Sequence, residues 1–266
     1  MVCYRYMSYE RFKQSIKPSG VFIKVSRPVE FNDPYDCSGL VVGKASEHLV
    51  STYKQFFHQW LEPVELDFTT KVQLRRMFDG LYRILSFCDS RVVGTPEEML
   101  MWSHYADHAQ GVRVGIDVDT KRYRSVKILY KKQLPVMRLN KVKDWSIYED
   151  PELTRFLRAC LTTKHKSWQY EKERRVVFRV NDPYIKPLTL MDSVGPQPEA
   201  MMVWTPEKSV VKSICLGAEF WRASNSNRGF DGYLQSLKDA GYSLDVWSAV
   251  PRQQYGYDER PYTAHV

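Results

Sequence analysis

Two glutamates one residue apart, Glu171 and Glu173, stand just ahead of an apolar run, Val176-Val177-Phe178, after a basic and aromatic approach from Lys164 through Trp168 and Tyr170. A strand that includes both would project them from one face, because strand side chains alternate. Like charges that close raise the pKa of at least one partner unless a cation intervenes, and Arg174 and Arg175 follow directly. One chemistry for the pair is transfer at an anomeric carbon. Glu173 would hydrogen-bond a ribose hydroxyl and stabilise an oxocarbenium-like state, while Glu171 orients or deprotonates the acceptor. The alternative is a structural salt bridge from Glu173 to Arg175 or Lys164.

Other residues invite weaker readings. His104, in Trp102-Ser103-His104-Tyr105 on a predicted helix, is a candidate general base or a histidine bonded into the core. His108 shares its helix face four residues on, but no HExxH motif or third ligand accompanies the pair, so no metal is expected. Asn32-Asp33-Pro34 reads as a cap or turn, or as a rigid loop presenting Asn32 and Asp33 to a ligand. Tyr4, Trp102 and Trp168 are core aromatics or stacking platforms. Cys88 lies near the predicted site, yet no Cys/His/Asn set follows from the spacing.

The elements that must position these groups alternate irregularly. Strands are expected at Val2–Tyr6, Val21–Val25, Ile84–Cys88, Gly111–Asp117, Val126–Tyr130, Glu173–Val180, Val210–Leu216 and Ser243–Val246. Helices are expected at Tyr9–Ile16, from about Ser46 to Leu85 with a break near Glu62-Pro63, at Glu97–Ala106 behind Pro96, at Asp150–His165, and at Phe230–Ala240. With no regular βαβ order, the fold class is α+β, mainly antiparallel split sheets with flanking helices. Residues 1–250 are expected to form one domain and 251–266 an extended C-terminal tail.

Taken in order, Tyr4-Arg5-Tyr6, Phe31-Asn32-Asp33-Pro34, Leu100 to Ala106, Gly111-Val112, then Lys164, Trp168, Tyr170, Glu171, Glu173 and Arg175, and the Ile214 to Gly217 strand end, resemble the bacterial domain-of-unknown-function family 2971. That likeness carries no activity. More distantly, the opening strand, short helix, glycine and strand look like the start of ADP-ribosyltransferases. That resemblance implies NAD held in a cleft between two small sheets, with a catalytic glutamate, here Glu173, at the start of a late strand. It also implies a dinucleotide contact from the first strand, by Arg5, Tyr4 or Tyr6, within a lining that includes Asn32, Asp33, Ser103, Tyr105 and Trp168. No Ser-Thr-Ser strand follows; Ser86, Ser90 and Ser103 are the nearest substitutes.

The formal charge is +8, and from Lys121 to Lys143 nine Lys or Arg occur without one Asp or Glu. Such a run is a solvated face or a phosphate-contacting one, with Lys127, Lys131, Lys132, Lys164 and Arg175 the candidate nucleic-acid contacts. Five dispersed cysteines, no CxxC pair, no leader ahead of Met1-Val2-Cys3 and no long apolar run set the expectation of a cytoplasmic protein with reduced thiols and no membrane partner. Three functions compete. The first is an NAD-using ADP-ribosyltransferase acting on RNA, DNA or protein, as a toxin or antiphage effector. The second is a metal-dependent nuclease using Asp33, Asp36, Glu171 and Glu173 beside Lys164 or Lys172. The third is a non-catalytic nucleic-acid-binding module.

Overall fold

The first strand, Val2–Met7, is paired on both sides. Tyr82–Asp89 runs antiparallel to it with Cys3 opposite Asp89 and Tyr4 opposite Cys88. Val112–Asp117 runs antiparallel along its whole length, with Tyr6 opposite Arg113 and Arg5 opposite Val114. The computed structural model describes residues 1–33, 35–42, 70–73, 75–118, 125–143, 150–188, 201–222, 229–252 and 255–263. The chain divides into two compact units, one of Met1–Val25, Leu85–Val126 and Tyr170–Val266, the other of Ser26–Ile84 and Lys127–Gln169. The first sets helices on a mostly antiparallel sheet and the second mixes helices with parallel and antiparallel strand pairs, so the class is α+β.

In the first unit the main sheet runs in the order Tyr257–Pro261, Asp245–Pro251, Val211–Leu216, Val112–Asp117, Val2–Met7, Tyr82–Asp89 and Glu173–Arg179, with Val126–Lys127 at the last edge where the chain leaves the unit. Alternation gives the sheet two covered faces. One packs Cys3, Met7, Val114, Val176 and Phe178 against Tyr9 and Phe12 of helix Tyr9–Ser15 and Phe230, Leu234 and Leu237 of helix Phe230–Asp239. The spacing of those last three is that of one helix face. The other face carries Tyr6, Cys88 and Cys215 under Met101 and Trp102 of helix Glu98–Tyr105.

That second helix stops abruptly. Asp107, His108 and Ala109 have φ of 51°, 53° and 65°, a left-handed run that side chains with a Cβ seldom adopt. The amide of Gly111 then bonds Ala106 O at 2.8 Å, and Gly217 N bonds Gly111 O at 2.9 Å. Gly111 has no alternative residue here, since a Cβ would strike the carbonyl oxygen of Met7. The loop thereby bonds the helix end to the end of strand Val211–Leu216 and packs it against Met7 of the first strand.

In the second unit Ser38–Val42 pairs parallel with Val136–Arg138 and antiparallel with Thr70–Gln73. Leu129–Lys131 pairs parallel with Thr163–His165. Helix Pro151–Thr162 starts at Asp150, whose carboxylate accepts from the amides of Glu152 and Leu153, both at 2.9 Å. It packs on the sheet where Gly39 leaves room for Phe156.

Several expected boundaries shift. Val21–Val25 is broken into Gly20–Val21 and Ile23–Lys24, which join different sheets. The expected helix 150–165 ends at Thr162, and its last three residues form a strand. Val126–Tyr130 divides at the buried Ile128. Of the helical stretch expected from 46 to 85, residues 43–69 lie outside the described residues; the rest holds strand Thr70–Gln73, helix Arg75–Leu81 and the start of Tyr82–Asp89. Tyr257–Pro261, read from sequence as tail, is the antiparallel edge strand on Asp245–Pro251. Among the described residues no helix is long and apolar enough to cross a membrane.

Candidate active site

The two glutamates reach their places by a route the alternation argument did not foresee. The strand begins only at Glu173; Glu171 closes a 3-10 turn, Lys166–Glu171. Between them Lys172 takes φ of 44°, which turns the chain sharply. The end of Tyr82–Asp89 clamps this turn. Asp89 N bonds Lys172 O at 3.0 Å, and the Cys88 thiol donates to Glu171 O at 3.1 Å.

Both carboxylates are buried, at 4% and 5% exposure, and each meets a donor. Tyr105 Oη donates to Glu171 Oε1 at 2.5 Å. Arg175, fully buried, grips Glu173 through Nε to Oε1 at 2.6 Å and Nη2 to Oε2 at 3.2 Å. A two-pronged guanidinium contact is among the strongest carboxylate partnerships. Burial, and after it the charge of Glu171, drives the Tyr105 hydroxyl far above the ordinary tyrosine range, with a smaller push from Glu173. Tyr105 is therefore a protonated donor throughout the physiological range. Next to it the exposed His104 ring lies 6.1 Å from the Tyr170 ring, and Ser103 is also exposed.

Helix Glu98–Tyr105 is held over the sheet by a carboxylate the sequence reading passed over. Glu98 Oε1 accepts from Tyr6 Oη at 3.0 Å, Trp102 Nε1 at 3.1 Å and Arg113 Nη1 at 2.7 Å, while Oε2 accepts from Gly94 N at 2.7 Å. Arg113 also pairs with Glu259 and lies 4.4 Å from the centre of the Tyr4 ring. Burial opposes the charge of Arg113, but Tyr6 and Cys215, and after them Glu259 and Glu98, outweigh it and raise its pKa. The missed signal was an arginine inside an otherwise apolar strand, Val112-Arg113-Val114. Such a residue needs a buried acid, and Glu98 reads as an ordinary first-turn acid until the fold supplies Arg113.

The sheet faces separate the residues named by the ADP-ribosyltransferase resemblance. Tyr4 and Cys88 are opposed, and so are Cys3 and Asp89; Arg174 lies 3.6 Å from Asp89. Arg174, Val176 and Phe178 thus share the face of Cys3, Arg5 and Met7, whereas Glu173 and Arg175 share the face of Tyr4 and Tyr6. Arg5 does not face Glu173, so an NAD contact shared by that pair does not fit. Tyr4, partly exposed, and Tyr6, buried and committed to Glu98, are the first-strand aromatic residues on the glutamate face.

Two further candidates are corrected. Arg175 and Lys164 were expected at phosphates, yet both are buried; Arg175 holds Glu173, and Lys164 Nζ sits 4.7 Å from the Trp168 ring centre. The remaining basic candidates, Lys127, Lys131 and Lys132, are exposed, and Lys131 is opposite His165. Asn32, exposed, and Asp33, buried, belong to the second unit with Trp168. Asp33 Oδ1 takes Tyr35 N at 2.9 Å, a turn-forming bond. Cys88 is no activated nucleophile, because burial pushes its thiol upward. Among the described residues no group of three or more His, Cys, Asp or Glu is assembled for a metal.

Residues 101–176 match the family described as "Protein of unknown function (DUF2971)". No curated protein and no solved structure matches the chain.

Proposed function

Because the family match spans Tyr105, Glu171, Glu173 and Arg175 together, we propose that this cluster is the centre of an ADP-ribosyltransferase-like enzyme that uses NAD as a substrate. The observation that supports it most is the Tyr105–Glu171 hydrogen bond set beside the arginine-clamped Glu173. Two buried carboxylates, one on each side of the Lys172 turn, favour positive charge developing near them, and in a site of low dielectric that preference is large. In this reading the bond from the ribose anomeric carbon to nicotinamide breaks, and nicotinamide leaves with the electron pair. An acceptor nucleophile then bonds to that carbon and releases its proton.

Glu171 takes the ribose-contacting role, with Tyr105 fixing its rotamer. Glu173, bound on both oxygens by Arg175, contributes field and anchors the strand. Tyr4, not Arg5, is the first-strand residue positioned to meet the dinucleotide. The exposed His104 and Ser103 line the approach of the acceptor. Turnover of NAD by Glu171→Gln and Glu173→Gln separates the roles. Glu171→Gln is expected to lose about 10²–10³-fold in kcat with an unchanged Tm. Glu173→Gln is expected to lose Tm as well, since it strips a buried arginine of its partner. Equal, small losses from both would overturn this assignment.

A second reading, a non-catalytic nucleic-acid-binding module, draws on the exposed Lys127, Lys131 and Lys132 with His165 opposite Lys131. Salt-dependent RNA or DNA binding that survives Glu171→Gln would favour it, and nicotinamide release would favour the first.

A further inference from the structure

A second charged cluster borders the glutamate turn, and the proposed bond cleavage does not use it. Lys172, the left-handed residue between Glu171 and Glu173, donates from Nζ to the Arg91 carbonyl at 3.2 Å. Arg91 sits in the 3-10 turn Ser90–Val92 that follows strand Tyr82–Asp89. It grips Asp89 through Nε to Oδ1 at 2.8 Å and Nη2 to Oδ2 at 3.1 Å. Arg174 brings Nη1 to 3.6 Å from Asp89 Oδ2 and fastens Nε and Nη2 to Ser125. Three cations are thus gathered around one carboxylate, which the Arg91 hydrogen bonds hold below its usual range and so keep ionised. Even with Glu97, whose carboxyl feels Lys172 as the smallest influence on it, the group keeps a net positive charge. The cluster is open to solvent. The Arg91 side chain is 58% exposed above an Asp89 that is 7% exposed, and Lys172 and Arg174 are both partly exposed. Among the described residues Arg91 Nη1 has no acceptor and Lys172 Nζ has only the carbonyl. Accessible cations with donors to spare attract an anion.

We propose that Arg91, Lys172 and Arg174 form a binding site for the phosphates of a nucleotide-bearing ligand, beside the Glu171–Glu173 turn. The Arg91 guanidinium offers planar, directional donors to phosphate oxygens, and the Lys172 ammonium acts as a mobile point charge. Lys172 is the chain neighbour of both glutamates, so a phosphate on its ammonium is held next to the acid cluster. A dinucleotide and a polynucleotide present the same phosphate chemistry, and competition separates them. The site does not rest on the NAD reading, because it is tested by binding and not by turnover.

Calorimetric titration of the full chain with inorganic pyrophosphate, at fixed ionic strength, tests this directly. Lys172→Gly removes the ammonium with a residue suited to the left-handed turn. Arg91→Gln alters a side chain that stands mostly in solvent, so two independent variants keep the fold, as Tm would check. Each is expected to raise the Kd for pyrophosphate by about 10-fold, the loss of a charge-assisted hydrogen bond. ADP-ribose and a thymidine oligonucleotide are then added as competitors. Displacement by ADP-ribose assigns the site to a dinucleotide, and displacement by the oligonucleotide assigns it to a nucleic-acid backbone. The proposal is overturned if pyrophosphate does not bind, or if it binds both variants as tightly as the unaltered protein, which would place it on other basic residues. Displacement by neither competitor also overturns it, since the cluster would then hold an adventitious ion only.

Discussion

Tyr105 and Arg5 both have pKa values moved by burial, with opposite consequences. Tyr105 remains a protonated donor through the physiological range, so Tyr105→Phe removes a charge-assisted bond worth about 1.5–3 kcal/mol. We expect a roughly 10–100-fold fall in NAD turnover, with a pH profile that keeps its shape, measured as initial rates from pH 6 to pH 9. Arg5 has its folded pKa, about 10, below that of an unfolded arginine. The folded state therefore binds the proton less tightly than the unfolded state. The resulting destabilisation is complete below about pH 10 and is relieved as pH rises past it. Accordingly, the stability advantage of Arg5→Met is expected to be full at pH 8 and to shrink above pH 10, by denaturant unfolding at both. Glu171 and Glu173 were visible in the sequence as residues. Their separation into two environments was not, because it depends on the positive φ of Lys172 and on the distant Tyr105.

At the level of elements, the order of strands and helices was largely legible, since the first strand, helix Tyr9–Ser15, Val112–Asp117, Glu173–Arg179 and helix Phe230–Asp239 have clear periodicity. What failed was short-range: strands of two or three residues such as Gly20–Val21 and Thr163–His165 exist through their partners, and a local pattern does not reveal a partner. Helix Glu98–Tyr105 makes the same point, because its position depends on Glu98 meeting Arg113 from a strand 15 residues on. Glu98→Ala leaves Arg113 buried against a cavity, and we expect a loss of about 3–5 kcal/mol in urea unfolding. Lys172→Gly suits the left-handed turn and should be neutral or slightly stabilising. Lys172→Val should destabilise by about 1–2 kcal/mol and depress activity with it. If valine is tolerated at full activity, the turn does not set the glutamates.

For the molecule as a whole, the family match begins in the first unit, crosses the second from Lys127 to Gln169 and returns at Tyr170 to supply the glutamates. One continuous stretch of sequence thus carries both the acid cluster and the exposed lysines. Replacing Lys131 or Lys132 with Gln is expected to lower the slope of log binding constant against log salt by about 1 each for RNA or DNA, leaving the preference among sequences unchanged. The basic run was legible from charge alone, although Lys164 and Arg175 show its limit, because charge counting does not distinguish a solvated cation from one buried against Trp168 or Glu173. The central claim, that the Tyr105–Glu171–Glu173–Arg175 cluster breaks the nicotinamide–ribose bond of NAD, is tested most directly by free nicotinamide. Purified protein would be incubated with NAD, with and without RNA, DNA and protein acceptors, beside Glu171→Gln. The account predicts release that rises with one class of acceptor and falls at least 100-fold in the variant; no release with any acceptor, or equal release from the variant, would contradict it.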